Sequence, residues 1–382
     1  MNRGALAALG LSCLMGTGLA QTYNPPPGVP IPAMPQPMPT PSPGFPLPPG
    51  QPYPGGTINR SGTPYPSPVP GGMRPMQVPG APAALGAPEV RQASEWPLSA
   101  PSAGARLALG PDGDIFVSLS DLNRIVRFDP RTHRSSDWPS GLPGPKGIAV
   151  DRQGRVWFAA MGGIGQLNPA TGQVREFRPP TGGDANQVAI DSRGGVWFTL
   201  STTGMLGRLD PGTGRIEQFE LGGPPLALAA DRAGNAWVAV QNRDGVLKFD
   251  GRTNQPAEIS LGPGSQPVGL AISQDGSRLW VLLGGVQSAV IGLDAGSGQF
   301  DRHYRLPGLP PGLNPPLAID GRGELWMAGS GGSPFIRLNM LSGASAPVVV
   351  PNASSPIGDL TVDGAGNVWY VSGSAGRIGM LQ

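Results

Sequence analysis

The sequence predicts an all-β protein: a seven-bladed β-propeller of four-stranded blades, preceded by a disordered proline-rich segment. Two observations indicate this. A turn followed by an aromatic residue recurs at intervals of 40 to 46 residues through the last three quarters of the chain, a period typical of propeller blades. In addition, 23 of the 48 prolines fall in residues 22–90, where fixed φ angles and missing N–H groups disfavour helix and sheet. We therefore divide the chain into a leader (1–20), a linker (21–90) and a propeller (91–382).

The first 20 residues have the pattern of a secretory signal peptide. Arg3 precedes a short stretch of apolar and small residues, and small residues stand ahead of a cleavage site after Ala20. A lipoprotein signal acylated at Cys13 is the alternative. Because Cys13 is the only cysteine, a chain cleaved after Ala20 has none, which suits an oxidising compartment. We expect a secreted, periplasmic or cell-envelope location, and no membrane span in the mature chain.

The linker is predicted to be an extended, semi-rigid spacer of polyproline-II type. It would hold the folded domain away from a surface or a second anchor. The alternative is a proline-rich ligand for an aromatic groove on another protein.

Each repeat in residues 91–382 shows the same order of features. A short apolar run leads to a turn with Asp and Gly, residue types that favour tight hairpins. An aromatic strand, a Gly/Ser loop, a third strand, a second turn and a fourth strand follow. We predict that the aromatic series packs between adjacent blades and is not a cofactor site; its members are Phe116, Trp157, Trp197, Trp237, Trp280, Trp326 and Trp369.

The ends of the repeat region predict how the ring closes. The last repeat stops at its third strand, whereas the segment around Trp96 resembles the fourth-strand segment around Trp138. We expect the segment around Trp96 to supply the missing strand of blade seven, which would remove an open sheet edge.

Composition excludes several classes of function. The formal net charge is +2 and the only lysines are Lys146 and Lys248, so no basic block exists for nucleic acid. Two histidines and one cysteine exclude thiolate zinc sites, iron–sulfur clusters and multi-histidine metal centres. We expect His133 and His303 to be exposed at the rim of the propeller.

The repeat resembles the propellers of the virginiamycin B lyase (streptogramin lyase) and NHL-repeat group. The residues that carry the resemblance are G-I-A-V-D at 147–151 with V-W-F at 156–158, and V-W-F-T at 196–199 with L-G-R-L at 206–209. The resemblance covers residues 94–382. It implies a Mg²⁺-dependent opening of a cyclic depsipeptide lactone by His and Glu near the central channel, at one place before each first strand and one after each second strand.

This chain departs from that pattern at both places. The places before the first strand hold Arg106, Lys146, Gln187, Leu226, Val268, Pro316 and Ile357. The places after the second strand hold Leu119, Ala160, Leu200, Val240, Leu283, Gly329 and Ser372. Neither set contains a His or Glu that could act as a general base or bind a hard cation. We therefore predict no catalytic residue, no metal and no cofactor.

The loops at the family's ligand face are the default binding site. Its polar candidates are Arg106, Lys146 and Gln187 at the channel entrance, with Asp121, Asn123, Arg243 and Asp244 in adjacent loops. Its apolar side is predicted to hold Leu200, Leu226, Val240, Val268 and Pro316. Such a mixed rim suits a protein, peptide or glycan.

Three functions remain open at this point. The first is an envelope-associated binding propeller, expected to be a monomer. The second is a lactone-processing enzyme of streptogramin-lyase or gluconolactonase type with Mg²⁺, for which Asp184, Asp359 and Glu324 are the carboxylates to check. The third is a structural or assembly module without a substrate.

Overall fold

The computed structural model describes residues 87–285, 288–306, 309, 315–329, 334–354 and 356–381. The predicted leader and almost all of the predicted linker lie outside these residues. In chain order the strands are β1 (Glu89–Val90), β2 (Ala93–Pro97), β3 (Arg106–Leu109), β4 (Ile115–Leu119), β5 (Arg124–Asp129), β6 (Arg134–Pro139), β7 (Ile148–Val150), β8 (Val156–Ala160), β9 (Gly163–Asn168), β10 (Gln173–Phe177), β11 (Ala185–Ile190), β12 (Val196–Leu200), β13 (Met205–Leu209), β14 (Ile216–Glu220), β15 (Pro225–Ala230), β16 (Ala236–Val240), β17 (Gly245–Phe249), β18 (Pro256–Ser260), β19 (Pro267–Ile272), β20 (Arg278–Leu283), β21 (Ala289–Asp294), β22 (Phe300–Arg305), β23 (Leu317–Ile319), β24 (Glu324–Ala328), β25 (Phe335–Asn339), β26 (Ser345–Val349), β27 (Asp359–Val362), β28 (Val368–Ser372) and β29 (Arg377–Leu381). The one helical element among the described residues is a 3₁₀ turn, Ser120–Leu122.

These strands form seven sheets, which confirms the predicted seven-bladed β-propeller. Blades one to five are the consecutive antiparallel sets β3–β6, β7–β10, β11–β14, β15–β18 and β19–β22. Blade six is β23–β26 with β1 added, and blade seven is β27–β29 with β2. The first strand of each blade contacts the first strand of the next, from β3 round to β27 and back to β3. These innermost strands surround the central channel.

In five of the seven blades the first turn is held by a carboxylate that also binds the tryptophan of the next strand; blade five has Ser273 at this place. In blade three, Asp191 accepts hydrogen bonds from the amide of Gly195 at 2.8 Å and from the indole Nε1 of Trp197 at 3.1 Å. The same Asp–Trp bond recurs in four other blades, as Asp151–Trp157, Asp231–Trp237, Asp320–Trp326 and Asp363–Trp369. Blade one has Gly110 and Phe116 at these places, so no buried indole N–H there requires an acceptor.

The aromatic series packs between blades, as predicted. Trp157 of blade two is fully buried against Val196 and Phe198 of blade three. Trp369 of blade seven packs with Leu107 and Val117 of blade one. The second strand of each blade is buried on both faces because a neighbouring blade covers each of them.

The N-terminal strand closes the ring, which confirms that prediction. Strand β2 pairs antiparallel with β29, with Trp96 opposite Ile378. Glu95 fixes the strand from its other face, where it accepts hydrogen bonds from the Tyr370 hydroxyl at 2.7 Å and the Ser354 amide at 2.6 Å. The closing strand is therefore bound by its backbone and by a half-buried polar network.

A fifth strand lies on blade six. Glu89 and Val90 pair in parallel with Val348 and Val349 at the outer edge of the sheet. The Glu89 carboxylate also lies 3.1 Å from the guanidinium of Arg337. Residues assigned to the linker from composition thus contact the propeller.

The two ends of the channel differ in what surrounds them. Among the described residues, the upper face consists of the loops before the innermost strands and the loops after the second strands. The lower face consists of the turns that join each innermost strand to the second strand.

No helix among the described residues is long and apolar enough to cross a membrane.

Candidate functional site at the upper face

Arg106 and Asp359 lie at the upper face where blades seven and one meet. The Arg106 guanidinium donates to the carbonyl of Gly358. The Asp359 carboxylate accepts hydrogen bonds from the amides of Leu107 and Leu360, both at 3.0 Å. Burial raises the pKa of Asp359, and the nearby Arg106 charge partly opposes that rise. This pair joins the innermost strands of two blades and leaves the arginine exposed at the entrance.

Lys146 is a predicted site residue whose side-chain ammonium forms no polar contact with the described residues. Its backbone is fixed, because its amide donates to the Ala159 carbonyl at 2.7 Å and its carbonyl accepts from the Ser118 hydroxyl at 2.5 Å. Its ammonium has no hydrogen bond or ion pair within the part of the chain that the structure describes. The same Ser118 hydroxyl lies 3.5 Å from the Arg106 carbonyl. Ser118 therefore brings the backbones of both cationic residues to one place on adjacent blades.

Gln187 ties blade three to blade four. Its side-chain amide donates to the Leu226 carbonyl at 2.9 Å, and its backbone amide donates to the Thr199 hydroxyl at 3.1 Å. This half-buried side chain is largely occupied by contacts within the protein.

The acidic and amide side chains of the upper loops form hydrogen bonds that join one loop to the next. Asp121 accepts from the Ala103 amide at 2.8 Å, and Asn123, in a left-handed conformation with φ of 54°, accepts from the Gly144 amide at 2.7 Å. Both bonds join a loop after a second strand to a loop before an innermost strand.

The same arrangement recurs in blade four. Asp244 accepts from the amides of Gly264 at 2.9 Å and Gln266 at 3.3 Å. Arg243 lies 2.9 Å from the Glu258 carboxylate and donates to the Leu221 carbonyl at 3.0 Å. Each of the four loop candidates thus has a structural partner.

The three carboxylates selected from the sequence do not converge. Asp184 accepts from the Gly162 amide at 3.0 Å in an upper loop, and Asp359 lies between blades seven and one. Glu324 lies next to the lower face, 2.8 Å from the guanidinium of Arg337. No group of three or more His, Cys, Asp or Glu suited to a metal ion occurs within the described ranges. The lyase positions themselves hold no carboxylate or histidine, so their side chains do not fit the Mg²⁺ that the family resemblance implies.

The apolar side of the entrance differs from the prediction. Leu200 and Val240 are 0% and 1% exposed and lie in the cores between blades. Leu226 and Pro316 are half-buried at the starts of innermost strands. The prediction was wrong for Leu200 and Val240, because neighbouring blades cover both faces of the second strands, and for Val268, which is buried in the core between blades five and six.

The histidines differ from each other. His133 is exposed, as expected, with its ring stacked on Trp96 at 4.7 Å. His303 is half-buried and its Nδ1 is inaccessible, with no hydrogen-bond partner in the structure. Burial and the charge of Arg305 lower the pKa of His303. The prediction that His303 is exposed was therefore wrong.

His303 and Arg305 border a cavity of about 290 Å³ with Ser265 and Leu283. Sequence reasoning placed His303 at the rim and missed this cavity. The available signal was strand alternation, which puts His303 and Arg305 on one face of β22.

Known proteins resemble this chain in sequence and in fold. Residues 90–249 match the Virginiamycin B lyase family. Virginiamycin B lyase from Nocardia farcinica is 31% identical over 183 residues, an alignment that covers 37% of this chain and 64% of that protein. The chain thus spans less than two thirds of the length of that relative.

Two solved structures share the fold. A streptogramin B lyase structure matches with a TM-score of 0.66 and 20% identity, over 76% of this chain and 97% of that one. A catalytically inactive histidine-to-alanine variant of virginiamycin B lyase from Staphylococcus aureus, with quinupristin, matches with a TM-score of 0.66 and 18% identity, over 76% and 99%. At these identities the structures establish the fold alone. The chain is a seven-bladed β-propeller that is similar to the virginiamycin B lyases over part of its length.

Proposed function

We propose that this chain is a secreted or envelope-associated binding propeller whose upper face takes a carboxylate-bearing peptide, protein or glycan. The observation that carries the proposal is the Lys146 ammonium, which has no partner among the described residues. It lies one blade from the exposed Arg106, and Ser118 contacts the backbone of both residues. Two cationic residues on neighbouring blades of this face favour an anionic group on the ligand.

The surrounding loops support a binding role over proton-transfer chemistry. Carboxylates such as Asp121 and Asp244 accept hydrogen bonds from loop amides. A carboxylate held in this way fixes the shape of a loop, and a preformed rim lowers the entropic cost of binding. The lyase positions hold no His or Glu, the residue types that the family resemblance implies for catalysis.

Binding to two anionic probes tests the proposal. The probes are oligogalacturonate, an acidic glycan, and a short oligoglutamate peptide, each titrated calorimetrically into wild-type protein. We expect at least one to bind, Lys146→Ala to weaken that binding about tenfold, and Lys146→Glu to abolish it, since a charge-assisted contact contributes about 1.5–3 kcal/mol.

The matched control is Arg134→Ala. Arg134 is an exposed cation at the start of β6, on the outer edge of blade one. Its removal changes net charge as much as Lys146→Ala does and should leave binding unchanged. Equal losses in the two variants would show that only overall charge matters, and the upper-face site would be wrong.

The second candidate function is ring-opening of a streptogramin B lactone. It is favoured by the family match over residues 90–249 and by the Nocardia farcinica relative. The test is incubation of the protein with quinupristin and Mg²⁺, with mass spectrometry following linearisation in the presence and absence of EDTA. We expect no opening; linearisation that EDTA abolishes would replace the binding proposal with a lyase.

A further inference from the structure

A second cavity opens at the lower face, at the opposite end of the channel from Lys146. Its volume is about 460 Å³, within the range of roughly 300–1,000 Å³ that small-molecule sites occupy. Blades two to five form its walls, each through the end of an innermost strand and the turn that follows.

The wall of this cavity has two levels. The deeper level is apolar and consists of the last residues of β7, β11, β15 and β19, namely Val150, Ile190, Ala230 and Ile272. The outer level is polar and lies in the turns, where the lining residues include Arg152, Ser192, Arg232 and Gln274. A ligand that fills the cavity would therefore meet apolar side chains inside and polar groups at the mouth.

The two arginines of the outer level form no polar contacts with other described residues. Both are exposed, and neither guanidinium forms a hydrogen bond or ion pair with any described residue. Other arginines near this face are occupied: Arg155 lies 2.6 Å from the Asp151 carboxylate, and Arg208 lies 3.4 Å from Asp191. Arg152 and Arg232 thus leave their donors available to a ligand.

The three aspartates that also line the cavity are bound within their own blades, and two of them are paired with other arginines. Asp151 and Asp191 are ion-paired, as above, and are 5% and 4% exposed. Asp231 is 3% exposed, and it accepts from the indole of Trp237 at 2.9 Å and the side chain of Asn235 at 2.8 Å. Each of these carboxylates is therefore engaged by donors of its own blade.

One further acid lies close to the mouth, in blade five. Asp275 accepts from the hydroxyls of Ser273 at 2.6 Å and Ser277 at 2.7 Å. These bonds keep its carboxylate within its own turn.

We propose that this lower cavity binds a small organic anion with an apolar tail, whose carboxylate contacts Arg152 and Arg232. Guanidinium groups form planar, often bidentate contacts with carboxylates. The apolar level would take the tail, with a gain of roughly 25 cal/mol for each Å² of apolar surface removed from water. This site is independent of the upper face and of the function proposed for it.

Octanoate is a direct probe of this site. We expect calorimetry on the full chain to show saturable binding of octanoate, with acetate binding at least tenfold more weakly because it lacks the tail. Octylamine, which has the tail and the opposite charge, should not bind. The double variant Arg152→Ala/Arg232→Ala should weaken octanoate binding at least tenfold, and Ala230→Phe should do the same by filling the apolar level.

Two control variants and a check of folding accompany these titrations. Arg134→Ala and Lys146→Ala should leave octanoate affinity unchanged, and thermal melting should show that every variant is folded. The proposal is overturned if octanoate does not bind the wild-type protein, if octylamine binds as tightly, or if the folded double-arginine variant keeps wild-type affinity. Loss of octanoate binding in Lys146→Ala would place the anion at the upper face instead.

Discussion

Gly207 lies directly against the ring of Phe198 across strands β12 and β13. A Cβ atom added at Gly207 would stand 2.1 Å from the ring Cζ. Gly165 meets Phe158 in the same way, at 2.0 Å, and Gly379 meets Tyr370 at 2.1 Å. Where the residue after the repeat aromatic is aliphatic, its partner is larger, as in Val117–Val126, Val238–Leu247, Val281–Ile291 and Met327–Ile336. The glycine of the L-G-R-L segment therefore makes room for a ring on the neighbouring strand.

Gly207→Ala should destabilise the propeller by about 1–3 kcal/mol, the usual cost of overpacking a filled core. Phe198→Val removes the ring, so the added methyl group should cost much less in that background, and a double-mutant cycle from urea unfolding measures the coupling. Gly364→Ala is the matched control, because a Cβ there meets no atom within 4 Å. Equal costs of Gly207→Ala in both backgrounds would contradict the ring-contact explanation.

Removal of the closing strand should destabilise the whole ring. A chain that begins at residue 91 loses only β1, whereas a chain that begins at residue 100 also loses β2 and its Trp96 contacts with Phe128 and Trp369. We expect the second truncation to lower the free energy of unfolding by at least about 3 kcal/mol, because it removes the half-buried Trp96 and the backbone hydrogen bonds between β2 and β29. Thermal melting of the two chains side by side is the measurement, and coincident curves would contradict closure by β2.

Tyr370 should make stability depend on alkaline pH. Burial and its hydrogen bond to the Glu95 carboxylate raise the pKa of its hydroxyl. The unfolded state releases this proton near pH 10, while the folded state retains it. The stabilisation is therefore complete below pH 10 and declines above it, by about 1.4 kcal/mol per pH unit.

The comparison that isolates this effect uses Tyr370→Phe. The variant should be less stable than wild type at pH 8, because Glu95 loses a hydrogen-bond donor. The difference in free energy of unfolding between the two proteins should narrow by about 1.4 kcal/mol near pH 11. Urea unfolding at both pH values measures this difference. Parallel losses of stability in the two proteins would assign the alkaline effect to other residues.

The repeat made the fold predictable, because each blade carries the same turn and the same interblade aromatic. The closing strand was also visible, since the segment around Trp96 resembles that around Trp138. The strand at Glu89–Val90 was not, because two residues beside a proline-rich segment carry no alternation pattern. Leu200 and Val240 were misplaced because second strands are apolar throughout, so alternation does not show which residues reach the channel.

The upper-face candidates were only partly predictable. Residue type identifies Asp121 and Asp244 as polar loop residues, but not the Ala103 and Gly264 amides that they bind. Those partners depend on how two loops distant in sequence approach each other. Lys146 stands apart because no described group satisfies its charge, a property that only the packed structure reveals.

Asp184 distinguishes a structural carboxylate from a ligand-binding one at this face. Its Oδ1 accepts from the Gly162 amide at 3.0 Å, so Asp184→Ala should cost roughly 1 kcal/mol of stability or more and speed amide exchange at Gly162. Asp184→Asn keeps an acceptor oxygen and should restore most of both. Lys146→Ala should change neither, since its side chain has no partner to lose. A different result would contradict this structural role. If Asp184→Ala leaves stability and Gly162 exchange as in wild type yet weakens binding of an upper-face probe, the Asp184 carboxylate contacts the ligand and does not hold the loop.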